Sequence, residues 1–273
     1  MFVDITSDLI LPCILLFLIV FCFGIIIGSF LNVCIYRLPK GESLITNASH
    51  CMTCGERIKP YDLIPLFSWI FLKGKCRHCG EKISGRYPLV EFLNGIMWVF
   101  AFVKFEFTIK AVVFALFFSA LIVVGFMDWD TQEINLGVLM FIGLLSIPAF
   151  FFDKLPLTER LIGLVAISVP LFIIGFVITP FIYRNKSAEK VYGFGMGDIY
   201  LMAGGGLFLG YKAVIVASFI GIILGGFYGM IKKRTVQDDS LFKFAFGPWL
   251  SIGLAVAAFF GTGIFDWYIR FLG

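Results

Sequence analysis

The sequence predicts an all-α polytopic membrane protein of about eight transmembrane helices with a small zinc-binding cytoplasmic loop domain, and three observations predict it. Of 273 residues, 60% are hydrophobic and only 15% charged, with 34 Phe, proportions that soluble globular domains do not reach. The apolar residues gather in long runs, and the first, Leu9 to Tyr36, carries no charge and is long enough to cross a bilayer with tilt. The one long polar stretch, Arg37 to Pro88, holds four of the seven cysteines in two matched pairs. No hydrophilic half remains to fold as a separate enzyme domain, so any chemistry lies in helices, short loops and this longer loop.

The first run is preceded by Asp4 and Asp8 and followed by Arg37 and Lys40. That is not the basic flank of a cleaved signal peptide, and it sets the N-terminus outside and residue 37 in the cytoplasm. Further apolar runs follow at about 89–103, 111–128, 136–152, 161–183, 197–210, 213–231 and 244–264. The sixth is short, and Gly204-Gly205-Gly206 leaves a merged or re-entrant segment open there. The chain therefore divides into 1–36, a first transmembrane helix; 37–88, a cytoplasmic four-cysteine zinc loop; and 89–273, a transmembrane core. With eight spans, sixteen of the 22 basic residues fall on the cytoplasmic side, as the positive-inside rule requires. The net charge of +4 is modest, and membrane lipid rather than nucleic acid is the expected surroundings.

Cys51-Met52-Thr53-Cys54-Gly55 and Cys76-Arg77-His78-Cys79-Gly80 repeat one pattern across a 21-residue gap. Four thiolates in two such knuckles match a closed tetrahedral structural zinc site, or iron bound adventitiously in the same shell, and the glycine after each pair permits the turn that presents both sulfurs. Cytosolic placement argues against disulfides, and two matched pairs without a βαβ context argue against a thioredoxin-like redox role. His50 and His78 flank a shell already complete with sulfur, which leaves them outer hydrogen bonds at most. The apolar insert Tyr61 to Ile70 is suited to lie against the membrane surface, with the metal supplying the folding energy a small loop lacks. Cys13, Cys22 and Cys34, in the first apolar run, behave as small hydrophobes.

Two acids stand at the edges of apolar runs. Asp128 closes Ala111 to Met127, and Asp198, in Gly195-Met196-Gly197-Asp198, opens Ile199 to Leu209. Acids at membrane depth are costly and point to function. If the two helix ends meet, like charges a few ångströms apart cannot both ionise, so the pair would share a proton and act as acid and base on a water and an amide. Gly195 and Gly197, lacking Cβ, would let a substrate backbone or a neighbouring helix come close. The plainer account is a pair of interfacial helix caps; Asp198 suits it, since carboxylates favour helix N-termini, whereas Asp128 ends a helix and is disfavoured there. Similarly, Gly28 to Pro39 is suited to interhelical packing with Asn32 as hydrogen-bonding glue.

The ordered set Gly28 to Pro39 (GSFLNVCIYRLP), the paired Cys loop, Arg86-Tyr87-Pro88-Leu89-Val90-Glu91, Asp128-Trp129-Asp130-Thr131-Gln132-Glu133-Ile134, Gly195-Met196-Gly197-Asp198 and Phe246-Gly247-Pro248 resembles the bacterial type IV prepilin peptidases, or leader peptidase/N-methyltransferases. The resemblance spans nearly the whole chain. It implies a multi-pass aspartyl endopeptidase of the G-x-G-D type in the bacterial inner membrane. Such an enzyme removes the basic leader of type IV prepilins or pseudopilins at the cytoplasmic face, cuts after a Gly, and N-methylates the new N-terminal residue, usually Phe, with S-adenosylmethionine. These enzymes serve type IV pili and secretion. The catalytic acids carry over to Asp128 and Asp198, with Asp130 a rival for the first, and the metal ligands to Cys51, Cys54, Cys76 and Cys79; no stretch reads as a methyl-donor site. Asn135 departs from the family's usual proline and Tyr200 from its common lysine, which touches the loop after the third span and the charge near the acids.

Counted from Arg37 to Glu91, the long loop cannot attract a basic leader by gross charge, since nine basic residues face five acids and four thiolates with Zn²⁺ lower its total only from +4 to +2. Asp130, Glu133 and Glu189 are the nearer candidates. Two rivals stand beside this reading: a transporter or ion-coupled channel with the acids as a cation site, and a G-x-G-D protease without methyl transfer.

Overall fold

In hydrocarbon every backbone donor and acceptor must find its partner within the segment, which leaves long apolar runs one solution, the helix. A computed structural model describes residues 7–46, 48–153, 155–183, 194–235 and 244–273. The described residues form helices and loops, with two isolated bridges, His50 to Arg57 and Lys75 to Lys82, and no sheet. The helices are α1 (Ser7–Arg37), α2 (Phe67–Phe71), α3 (Arg86–Phe105), α4 (Ile109–Thr131), α5 (Leu136–Leu144), α6 (Ser146–Phe152), α7 (Leu157–Ala166), α8 (Ser168–Phe172), α9 (Thr179–Tyr183), α10 (Met196–Leu209), α11 (Tyr211–Thr235) and α12 (Gly247–Leu272).

All eight expected apolar runs are helical, but six are long and apolar enough to cross a membrane: Ile10–Lys40, Arg86–Phe105, Ile109–Thr131, Leu157–Ile182, Tyr211–Arg234 and Gly247–Leu272. The other two are shorter. α10, with 14 residues, rises only about 21 Å against a hydrocarbon core of about 30 Å, and Leu136–Phe152 is interrupted at Leu145. The span from Leu157 is also irregular: Pro170 and Pro180 bracket a π-helical stretch, Ile173–Ile178, where Thr179 Oγ1 donates to the Ile174 carbonyl at 2.8 Å.

The chain forms two compact units, one ending at Ser119 and the other beginning at Ala120. In the first, α1 lies along α3 at glycines: a β-carbon on Gly24 would stand 2.7 Å from Gly95 Cα, and one on Gly28 2.7 Å from Glu91 Cα. Asn94 is fully buried, donating to the Gly24 carbonyl at 2.6 Å and accepting from Ser119 Oγ at 2.7 Å, while Trp98 Nε1 donates to the same hydroxyl at 3.0 Å. Asn32 Nδ2 donates to the Tyr87 carbonyl at 3.1 Å, the interhelical role expected of it. Small residues and polar glue replace the hydrophobic drive that lipid cannot supply. The large apolar residues that remain exposed, such as Ile19, Phe23 and Phe30 of α1, are what a lipid-facing surface carries.

In the second unit α10 is central, with α5, α6, α7, α8, α11 and α12 against it. Gly206 and Gly163 let α10 and α7 meet backbone to backbone. Leu201, Met202 and Phe208 of α10 are fully buried, so the helix is apolar on nearly every side and its one charged residue, Asp198, stands in the first turn.

Candidate active site and metal centre

The metal loop is built from two copies of one turn. Cys51 N–H donates to the Glu56 carbonyl at 2.9 Å and Gly55 N–H to the Cys51 carbonyl at 2.9 Å; Cys76 to Glu81, at 2.8 Å, and Gly80 to Cys76, at 3.0 Å, repeat it. Gly55 and Gly80 have φ of +70° and +74°, left-handed values that a side chain disfavours. The sulfurs of Cys51, Cys54, Cys76 and Cys79 all lie within 4.8 Å of one another, and Cys51 Sγ is 3.8 Å from Cys79 Sγ. Zn–S bonds of about 2.3 Å in a tetrahedron demand sulfurs about 3.8 Å apart, so the four are close enough to one another to be candidates for holding such an ion. His50 and His78 are exposed and not part of the cluster; His50 Nδ1 pairs with the Ala48 carbonyl at 3.2 Å.

The insert between the two knuckles folds back on α1. Pro60, Leu63, Ile64, Pro65 and Phe67 line an apolar groove of about 380 Å³ with Cys22, Ile25 and Ile26. Its anchor was not legible as such: Glu91, the last residue of the Arg86-to-Glu91 motif, is buried and accepts the Leu66 N–H at 2.8 Å and a hydrogen bond from Ser29. Leu66 has φ of +61°, and Phe67 N–H closes a γ-turn onto the Pro65 carbonyl at 2.7 Å.

The acids lie in the second unit. Asp128, three residues before the end of α4, and Asp198, the third residue of α10, are 6% and 7% exposed. Their carboxylates are near enough to interact electrostatically. Asp198 Oδ2 accepts the Gly195 N–H at 3.3 Å, while its Oδ1 is buried and has no hydrogen-bond partner among the described residues. Asp128 Oδ2 accepts the Gly247 N–H at 2.8 Å. Asp130 and Glu133, by contrast, are exposed, and Glu189 lies outside the described residues. Of the two glycines, Gly197 makes room for Ile134, whose nearest atom would be 3.0 Å from an added β-carbon, and Gly195 is exposed.

The two departures from the family pattern fall at the start of α5 and on the exposed side of α10. Asn135 caps α5, its Oδ1 accepting the Gly137 N–H at 2.8 Å, a helix start that proline would make by fixing φ instead. Tyr200 is 44% exposed, directed away from the buried side of α10 that Asp198 occupies.

Residues 22–105 match the model of the bacterial peptidase A24 N-terminal domain, and residues 115–230 that of the type IV leader peptidase family. The chain is 31% identical over 254 residues to a prepilin leader peptidase/N-methyltransferase of Bacillus subtilis, covering 92% of this chain and 97% of the relative. It is 30% identical to one of Xanthomonas campestris, covering 92% and 93%. To a type 4 prepilin-like proteins leader peptide-processing enzyme of Escherichia coli it is 33% identical, covering 84% and 88%. No solved structure matches the chain significantly. Two matched models in order, and relatives aligned over nearly their whole length, establish that the chain belongs to the type IV leader peptidase family.

Proposed function

We propose that the protein removes the leader peptide of type IV prepilins or pseudopilins with Asp128 and Asp198 as its catalytic acids, and then N-methylates the new N-terminus. The observation that carries the first step is a pair of buried carboxylates within electrostatic reach, one of them with an oxygen that has no hydrogen-bond partner among the described residues. A buried, unpartnered carboxylate oxygen is costly, and a shared proton or an incoming water removes the cost. One acid, ionised, takes a proton from the attacking water; the other, protonated, hydrogen-bonds the scissile carbonyl oxygen; collapse of the tetrahedral intermediate delivers a proton to the departing amide nitrogen. The burial of Asp128 and the exposure of Asp130 favour the former as first acid.

Residues 37–88 serve as a zinc-stabilised cytoplasmic loop and 89–273 as the protease core, with the acids at the cytoplasmic face of the inner membrane. Methyl transfer rests on the names of the relatives and on S-adenosylmethionine as donor. The strand–loop–helix cradle of soluble donor sites is not found among the described residues, and none of them is assigned to the donor. The transporter alternative loses ground because each acid stands at a helix end, Asp128 near the C-terminus of α4 and Asp198 in the first turn of α10, rather than within a broken midplane helix.

The deciding experiment is cleavage of a co-expressed or detergent-solubilised prepilin, read by the gel shift of leader loss. Asp128→Asn and Asp198→Asn are expected to abolish it with the folded protein retained, and Asp130→Asn to leave it. An active Asp128→Asn with a dead Asp130→Asn would move the first acid. Mass spectrometry of the product's N-terminus tests methylation separately.

A further inference from the structure

The chemistry above gives Phe246-Gly247-Pro248 no part, yet this segment touches Asp128 directly. α12 begins at Gly247. Of the N–H groups at its start, Pro248 has none, and those of Trp249 and Leu250 return to the Phe246 carbonyl at 3.1 and 3.2 Å. The Gly247 N–H is thus the donor left pointing outward, and it goes to Asp128 Oδ2 at 2.8 Å. Asp128 needs such a partner. It stands in the last turn of α4, where the helix dipole disfavours an anion, and the N-terminus of α12 supplies the opposite end of a dipole.

Space enforces the choice of residue. A β-carbon on Gly247 would lie 2.8 Å from Asp128 Oδ2 and 3.0 Å from its Cβ and Cγ, so any other side chain pushes the carboxylate and the amide apart. The flanking residues hold the amide in place. The Phe246 ring fills the position a β-carbon on Gly225 would take, 2.6 Å away, and meets the Phe194 ring at 5.5 Å between centroids. Pro248 Cα sits 3.6 Å from the β-position of Gly125, three residues before Asp128 on α4. Phenylalanine, glycine and proline each have a separate steric task, and all three bear on one carboxylate.

We propose that Phe246-Gly247-Pro248 is the positioning element of the first acid: the Gly247 N–H holds Asp128 by Oδ2 and leaves its other oxygen for proton transfer. This rests on Asp128 being a member of the catalytic pair. Gly247 itself touches no substrate and acts through Asp128.

The test pairs two alanine substitutions on α12. Gly247→Ala is expected to lower kcat for leader cleavage about a hundredfold, the scale of a 1 Å misplacement, with KM changed less than about threefold. Gly261→Ala, whose β-carbon would press on Ala213 Cα at 2.9 Å but on no acid, should lower the melting temperature and leave kcat of the folded protein within about threefold. Hydrogen exchange of the membrane-folded protein reads the bond with Gly247 intact: Asp128→Ala should speed exchange at the Gly247 amide and not at Leu250. A folded Gly247→Ala with wild-type kcat, or Gly247 exchange unchanged in Asp128→Ala, overturns the inference. An Asp128→Asn variant that still cleaves would instead overturn the catalytic pair beneath it, a result the exchange measurement does not depend on.

Discussion

Gly197 and Ile134 contend for the same space: a β-carbon at 197 would stand 3.0 Å from Ile134 Cδ1 and 3.1 Å from its Cβ. The second glycine of G-x-G-D is therefore where the loop after α4, which follows Asp128, rests on the first turn of α10, which carries Asp198. Gly197→Ala should separate the acids slightly and lower cleavage about tenfold, a fraction of the hundredfold that a full ångström can cost. Ile134→Val removes the nearest atom, so in the Gly197→Ala background it should restore part of the loss. The two substitutions should couple by about 1 kcal/mol in a double-mutant cycle, as contacting residues do. Strictly additive losses would show that the contact does not set the spacing.

The helices and the four-cysteine cluster were legible because each follows from local pattern. Uncharged apolar runs have no alternative in lipid, and two C-x2-C-G repeats dictate their own turns. What escaped the sequence is long-range. Asp128 and Gly247 are separated by 119 positions, and nothing local says that the disfavoured anion at one helix end is matched by a donor at the start of another. Arg160, directly before the apolar run at about 161–183, looks from the sequence like an ordinary flanking charge, yet it is turned inward and is 1% exposed. How each run measures against the bilayer was also less legible, since apolar character gives the helix but not its length, and α10, with 14 residues, is shorter than the six long apolar helices.

The metal loop should bind one zinc ion per chain and depend on it for order. In the metal-free loop, hydrogen bonds from the Cys54 and Thr53 amides bring the Cys51 thiol down to about 6. The Cys79 thiol, despite a backbone hydrogen bond from Glu81 that lowers it, is pushed up to about 12 by desolvation and by hydrogen bonds with Cys54, Cys76 and Cys51. A depressed thiol favours the folded loop above the ordinary cysteine value of about 8.5, and that contribution fades as pH falls through about 6. Cys79 holds its proton at neutral pH until a metal displaces it. Zinc binding at pH 7.5 should thus release protons, and affinity should fall about tenfold or more per pH unit on acidification. Calorimetry in buffers of different ionisation enthalpy measures the release; Cys51→Ser should leave residues 37–88 open to limited proteolysis. Binding without proton release would contradict the thiol assignment.

Glu133 is exposed in the loop that follows Asp128, its N–H on Thr131 Oγ1 at 3.3 Å. The backbone there is held by the threonine, so the side chain can be changed without moving the acid. Glu133→Lys should weaken cleavage of prepilins with basic leaders several-fold more than of leaders made neutral, and the difference should shrink in high salt, as screened attractions do. Rates measured on matched basic and neutral leaders decide it: equal losses on both would remove Glu133 from leader recognition.

Arg160 fixes the far end of the helix that carries Asp198. Its Nη1 donates to the Phe208 carbonyl at 2.7 Å and the Leu207 carbonyl at 3.2 Å, and its Nη2 to the Ala149 carbonyl at 3.1 Å, with Asp153 Oδ2 at 3.5 Å. Leu207 and Phe208 are in the last turn of α10, where carbonyls lack helical partners and a cation is favoured. The planar fork reaches α6 and α10 at once, which a lysine ammonium cannot do from one point. The guanidinium Nε has no partner among the described residues, so this orientation is set by the carbonyls rather than by full satisfaction of the arginine. Arg160→Met should cost about 3–5 kcal/mol, the range for removing one member of a buried charged contact, and Arg160→Lys about 1–3 kcal/mol from carbonyls left unpaired. Thermal unfolding in detergent gives the order, and cleavage by the surviving folded fraction should fall through kcat, because the N-terminus of α10 loses its fixed distance from Asp128. Equal stability of the Met and Lys variants would mean the carbonyls do not need the fork, and wild-type stability in both would remove Arg160 as the anchor of α10.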